Sequence, residues 1–184
     1  MLIRLVRYGM DVENHFRQQT NDPEARYSTE YPIYLRYSNT LAAFILFETR
    51  AKSLAREIRK ANDHLKFSLS DFNGSFIEKL KNFLKQVEWD RLHSDKYDFW
   101  AELKLLQSIR NSIVHADGLL EDLQAKDRSF LNLKIEERSD LSTTADGFIF
   151  LEEKYPSYAL DVIFHFFDKL YDIAGYPEFP ENEE

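Results

Sequence analysis

Most of this chain places its apolar positions with a helical period. From Pro32 to about Asn62, the residues Leu41, Phe44, Ile45, Ala51, Ala55 and Ile58 recur at spacings of three and four. The pattern predicts a long helix with Pro32 in its first turn and a largely basic last turn, Arg56 to Lys60. Thirty residues would reach about 45 Å, enough to form the backbone of a bundle. Ser70 to Gly74 is turn-rich. A shorter helix follows, with Phe76, Ile77, Leu80, Phe83, Leu84 and Val87 as its apolar face. A third runs from Tyr97 to about Val114, with Phe99, Leu103, Leu106 and Ile113 as its stripe and Gly118 as its stop.

The period then shifts to two. Leu131, Leu133 and Ile135 alternate with polar residues, and Phe148 to Leu151 is a second short apolar run. With Ser139 to Gly147 between them, they predict a β-hairpin with a long loop. Pro156 opens a Phe-rich final helix that ends near Ala174-Gly175, with Pro177 beyond. The expected fold is therefore mainly α: a bundle of about four to five helices with a small β-hairpin before the last one. Its expected limits are 31–176. Residues 1–30 form an N-terminal extension holding a short helix or strand and a loop at Gln18 to Pro23, and residues 177–184 form an acidic, disordered tail.

Composition narrows the class. Of the 184 residues, 43% are apolar and 15% aromatic, and Gly and Pro number five each, which fits one folded helical domain. There is no cysteine, so disulfides and thiolate metal sites are excluded. The start, Met1 to Arg7, is too short and too charged for a secretion signal. No apolar run approaches a membrane span; the longest is Leu41 to Phe47. A cytoplasmic protein is expected. The net charge of −8 removes general electrostatic help in binding nucleic acid, so any such site must be a local basic patch, within one chain or completed by a second copy of it.

Candidate chemistry concentrates in Arg110-Asn111-Ser112-Ile113-Val114-His115, at the end of the third helix. The imidazole can move a proton near neutral pH, and the guanidinium can hold the charge of a phosphorane, which suits metal-free phosphodiester chemistry. An Arg and a His five residues apart are expected about 0.3 times by chance in this composition, and a second pair exists at Arg59 and His64. That pair lacks the Asn and reads as a solvated helix end. With Asn after the Arg, the chance expectation falls to about 0.02.

Placement adds to the case. Arg110 shares the apolar stripe of Phe99, Leu103, Leu106 and Ile113, where an unpaired charge is costly. Glu48 lies on the apolar face of the long helix, so a Glu48–Arg110 pair is expected, either as a plain structural salt bridge or as support for the site. Asn111 and His115 share a helix face with Lys104 and Ser108, which reads either as a site or as an ordinary solvated face.

The Arg-Asn-x-x-x-His motif at the end of a long helix, preceded by another long helix with an acid after a Phe-rich stretch (Phe44 to Glu48), resembles the HEPN superfamily. The resemblance runs loosely over residues 30 to 174, and its specific part is the six-residue motif. It implies a metal-independent endoribonuclease without cofactors, acting as a homodimer on RNA. In that scheme His115 transfers the proton, Arg110 stabilises or positions the phosphate, and Asn111 orients these groups, with attack by the ribose 2′-OH leaving a 2′,3′-cyclic phosphate. Glu48, Lys104 and Ser108 would support them. A toxin–antitoxin, abortive-infection or antiviral defence role is implied, with an antitoxin or a defence-complex protein as partner. The alternative is a non-catalytic dimeric module of the same fold that binds RNA or a protein.

Other residue sets are weaker. His93 between Asp90 and Asp95 reads as a solvated turn rather than a cation site. Asp161 and His165 read as an i,i+4 pair rather than metal ligands. Tyr27, Tyr31, Tyr34 and Tyr37 read as packing residues rather than a base-stacking platform.

Overall fold

The computed structural model describes residues 23–62, 64–88 and 98–174, and the side chains from Pro32 onward within them. The loop expected at residues 18–22, His93 with its flanking acids, the Tyr27 and Tyr31 side chains and the acidic tail lie outside this range. The chain divides between Leu35 and Arg36 into two units. The first is described over residues 23–35, which are helical throughout.

The described residues include five α-helices and a two-stranded antiparallel sheet, with short 3-10 turns at Leu69–Asp71 and Leu120–Asp122: α1 Pro23–Ala61, α2 Phe76–Gln86, α3 Phe99–Ala116, α4 Ala125–Glu137, β1 Leu141–Thr143, β2 Ile149–Leu151 and α5 Tyr155–Ala174. The chain is thus mainly helical, with its hairpin immediately before the last helix. No helix among the described residues is long and apolar enough to cross a membrane.

Two boundaries differ from the sequence expectation. The first helix opens at Pro23, and Pro32 stands inside it. Pro23 takes the first helical position, where a missing N–H costs nothing, so Pro32 is not needed as a start signal. The segment around Leu131, Leu133 and Ile135, expected as a strand, is helix α4. A strand would have buried all three on one face. Only Leu131 is fully buried, Leu133 is 51% exposed, and the surrounding Leu, Lys and Glu are good helix formers. The hairpin starts later and is tighter. Leu141 pairs with Leu151 and Thr143 with Ile149, across a turn closed by Gly147 N–H to the Thr144 carbonyl at 3.0 Å.

The buried face of α1 runs Tyr37, Thr40, Phe44, Phe47, Ala51, Ala55 and Ile58, at spacings of three and four. Leu41 and Ile45, expected on this face, stand off it, since seven successive apolar residues from Leu41 to Phe47 do not by themselves choose a side. The larger ring decides. Phe47 is fully buried, with Phe166 at 5.5 Å, Phe76 at 5.8 Å and Phe167 at 5.8 Å between ring centroids. Phe166 in turn meets Phe99 and Trp100 of α3. Such a ring cluster contributes roughly 0.5–1.5 kcal/mol per edge contact beyond its area. Helix α2 begins with a capping box, Ser75 Oγ accepting from Glu78 N–H and Glu78 Oε2 accepting from Ser75 N–H. Helix α3 packs against α2, α4 and α5 and so carries the motif at the centre of the second unit.

Candidate functional site

Asp98 caps α3, its carboxylate accepting from Ala101 N–H at 3.2 Å. Phe99, Leu103, Leu106, Ile109 and Ile113 are buried and fix the rotation of the helix. Arg110 sits among them, half-exposed, as its place on the stripe requires of an unburied head on a buried stem. One of its Nη atoms donates to Asn111 Oδ1 at 3.0 Å and lies 3.4 Å from His115 Nε2. Arg110 therefore touches both of the motif's other polar groups at the end of one helix. His115 is exposed and Asn111 half-exposed, with the Asn111 Nδ2 unpartnered by any described residue.

The turn after the motif is fixed from two sides. Asp117 and Gly118 both take positive φ, 53° and 85°. The Ser112 carbonyl accepts from both of their N–H groups, so the helix ends in a wide, closed turn. The chain then joins the hairpin: Ile149 N–H donates to the Gly118 carbonyl at 2.8 Å and Leu120 N–H to the Gly147 carbonyl at 3.1 Å. From the other side, the Tyr37 hydroxyl donates to the Ile149 carbonyl, and Arg36 donates to the Leu151 carbonyl at 2.9 Å. Burial pushes the Tyr37 pKa well above the ordinary phenol value, so the hydroxyl stays a donor.

The supporting residues are not brought together. Glu48 forms its ion pair with Lys52 at 2.6 Å, one turn along α1, and none with Arg110. The expected Glu48–Arg110 pair is thus corrected: Arg110 is half-exposed and partnered within its own motif, so it needs no buried carboxylate. Lys104 places its Nζ 5.1 Å above the Phe130 ring of α4, eleven residues and about 16 Å of helix rise from His115. Ser108 is half-buried on the face of Asn111. Ser112, inside the motif, is fully buried and its Oγ has no hydrogen-bond partner among the described residues.

The remaining sequence candidates lie apart from the motif's polar contacts. Tyr37 is buried. His165 Nδ1 lies 2.7 Å from the backbone carbonyl of Asp161, one turn back on the same helix. His64 lies exposed in the turn after α1.

One polar cluster has no counterpart in the sequence reading. Arg138 binds both carboxylate oxygens of Glu102 at 2.9 and 3.1 Å, and both of Asp140 at 2.7 and 2.8 Å. Its guanidinium also covers the Tyr158 ring at 4.6 Å. The Asp140 hydrogen bonds raise the Arg138 pKa further, and burial pushes Tyr158 up to about 12. This hub ties α3 to the start of the hairpin and to α5. The Arg138-Ser139-Asp140 sequence hints at a local pair, but Glu102, thirty-six residues away, gives no such signal.

Comparisons with family models, with characterised proteins and with solved structures return no match for this chain.

Proposed function

We propose that the chain is a metal-independent endoribonuclease of HEPN type that works as a homodimer. The observation that carries this reading is the contact set of Arg110 with Asn111 and His115 at an exposed helix end. Cleavage by the neighbouring 2′-OH forms the 2′-O–P bond, breaks the P–5′-O bond and moves two protons, one off the nucleophile and one onto the leaving oxygen. It needs a base and an acid. The motif supplies one imidazole per chain, so two copies facing each other supply both. Arg110 would leave His115 Nε2 for the phosphorane oxygens as the phosphate enters, releasing the lone pair that takes the 2′ proton. Phe164, 69% exposed, and Leu160, 47% exposed, stand one turn apart on α5 and give an apolar ridge that a second copy would cover. A role as a toxin or defence effector, held by an antitoxin or a defence-complex protein, belongs to the same reading.

A second reading rests on the same contacts. Arg110 bonds Asn111 and contacts His115, so the motif could serve as a polar staple in a non-catalytic dimeric module that binds RNA or a protein.

The two separate by experiment. Wild type, His115→Ala and Arg110→Ala are incubated with mixed tRNA and mRNA in EDTA, and product ends are mapped. The nuclease reading expects 2′,3′-cyclic phosphate ends from wild type and at least ~100-fold less cleavage from either variant, with melting temperatures unchanged. Cleavage that persists in both variants overturns it. No cleavage by wild type, with Arg110→Ala lowering the melting temperature and splitting the dimer, supports the module.

A further inference from the structure

A backbone amide can attack the side-chain carbonyl of the Asn or Asp before it and close a succinimide ring. Glycine favours the attack, because it has no Cβ to shield its nitrogen. Three such pairs stand among the described residues: Asn73-Gly74, Asp117-Gly118 and Asp146-Gly147. In two of them the attacking nitrogen is occupied. Gly118 N–H donates to the Ser112 carbonyl and Gly147 N–H to the Thr144 carbonyl, each at 3.0 Å. Asn111, followed by Ser112 in the motif, lies inside α3, where the helix's own hydrogen bonds hold the backbone.

Asn73-Gly74 differs on each count. Both residues lie exposed between the 3-10 turn Leu69–Asp71 and α2, outside any helix or strand. Neither the Gly74 N–H nor the Asn73 side chain has a hydrogen-bond partner among the described residues. A neutral amide carbonyl is also easier to attack than a carboxylate. The neighbouring structure is sensitive to a change here. Gly74 takes a φ of 103°, and a Cβ on it would fall 2.5 Å from Glu78 Oε2. That oxygen accepts from Ser75 N–H at 2.7 Å in the capping box of α2. The length of main chain before Gly74 thus helps to place the box.

We infer that Asn73 is a site of spontaneous modification, deamidating through a succinimide mainly to isoaspartate, and that the product loosens the first turn of α2. Gly74 N attacks Asn73 Cγ and gives up its proton. The Cγ–Nδ2 bond breaks, and the side-chain nitrogen leaves with that proton as ammonia. Water then opens the ring. Attack at Cγ gives aspartate. Attack at the Asn73 backbone carbonyl carbon gives isoaspartate, whose chain runs through Cβ and Cγ and is one atom longer. The backbone carbonyl is the more electrophilic, because the Asn73 nitrogen sits on the adjacent Cα. Nothing is oxidised or reduced, and either product adds a carboxylate. The extra atom before Gly74 shifts it against Glu78, so the reciprocal Ser75–Glu78 bonds weaken. This site stands independently of the nuclease reading.

The full chain is aged in mildly alkaline buffer at body temperature, native and in guanidinium chloride. Its peptides are then mapped by mass spectrometry that separates aspartate from isoaspartate. In the native chain Asn73 should change first, gaining the mass difference between an amide and an acid, with isoaspartate exceeding aspartate. Denaturant frees the Gly118 and Gly147 N–H groups, so it should speed isomerisation at Asp117 and Asp146 at least ~10-fold, but Asn73 by less than ~3-fold. The Ser75 and Glu78 amides should exchange with deuterium faster in the aged chain than in Asn73→Asp, and aged Asn73→Gln should stay unmodified at that position. An Asn73 that survives in the native chain after the denatured chain has lost it overturns the inference, as does a product that is aspartate alone. Equal amide exchange in the aged chain and in Asn73→Asp overturns the loosening of α2.

Discussion

The hydroxyl of Tyr37 occupies the space that a side chain at position 118 would need: a Cβ built on Gly118 falls 2.7 Å from the Tyr37 Oη and 3.1 Å from its ring. A residue early in the described part of the second unit therefore dictates that the motif helix ends in glycine. Gly118→Ala faces this contact and also a φ of 85°, which alone costs about 1–2 kcal/mol. Its urea midpoint should fall clearly. In the Tyr37→Phe background the penalty should shrink, because the nearest atom is gone. An equal penalty in both backgrounds would show that backbone strain alone is responsible.

Arg110 should not be replaceable by lysine. The guanidinium reaches Asn111 and His115 from a single nitrogen and keeps further donors for a phosphate, whereas an ammonium is a compact point charge. If the chain cleaves RNA as proposed, Arg110→Lys should therefore lose most of that cleavage while melting within ~2 °C of wild type. Cleavage retained at wild-type level in Arg110→Lys would assign the arginine a purely electrostatic part.

Ser112 lies inside the motif but belongs to the core. Its hydroxyl is fully buried and unpartnered, an arrangement that costs about 1–3 kcal/mol, and alanine is the better helix former. Ser112→Ala should stabilise the chain by roughly 1 kcal/mol, or about 2–4 °C in melting temperature, and leave the proposed cleavage intact. A loss of cleavage at unchanged stability would move Ser112 into the site.

The Arg138 hub predicts strong coupling. Arg138→Met leaves the carboxylates of Glu102 and Asp140 facing each other without their cation, at a cost of about 3 kcal/mol. Adding Glu102→Gln should recover part of that loss. A chemical-denaturation double-mutant cycle reads the coupling, and simple additivity would count against a shared network.

Three tyrosines set an alkaline limit. Burial raises the pKa values of Tyr37, Tyr155 and Tyr158, the last to about 12, while an unfolded tyrosine ionises near ~10. Groups raised on folding contribute stability that is complete below the unfolded value and lost above it. The melting temperature should hold to about pH 10 and fall between there and pH 12, with phenolate absorbance at 295 nm lagging model tyrosine. Tyr37→Phe should soften the fall.

Helical periodicity located α2, α3 and α5 because each has one apolar face of ordinary width. It misjudged the rotation of α1, where Leu41 to Phe47 is apolar all round and the choice falls to the packing of Phe47 against Phe166. It also read α4 as a strand, because apolar residues at 131, 133 and 135 suit either period in so short a window. The motif was legible because Arg110, Asn111 and His115 are close in sequence and one helix brings them together. Glu48 was misassigned because a sequence offers no way to rank Lys52 against Arg110 as its partner. Glu102, Arg138 and Asp140 were invisible for a related reason: their meeting depends on how α3 and the hairpin pack.

Because the strand pairing of the hairpin continues into Gly118 and Leu120, the last turn of α3 is not a free helix end. Its amides should exchange with deuterium together with those of Ile149, as one opening unit rather than as a frayed terminus. The conformational freedom of the segment carrying His115 is lost when the chain folds, so a ligand meeting that imidazole has little left to order.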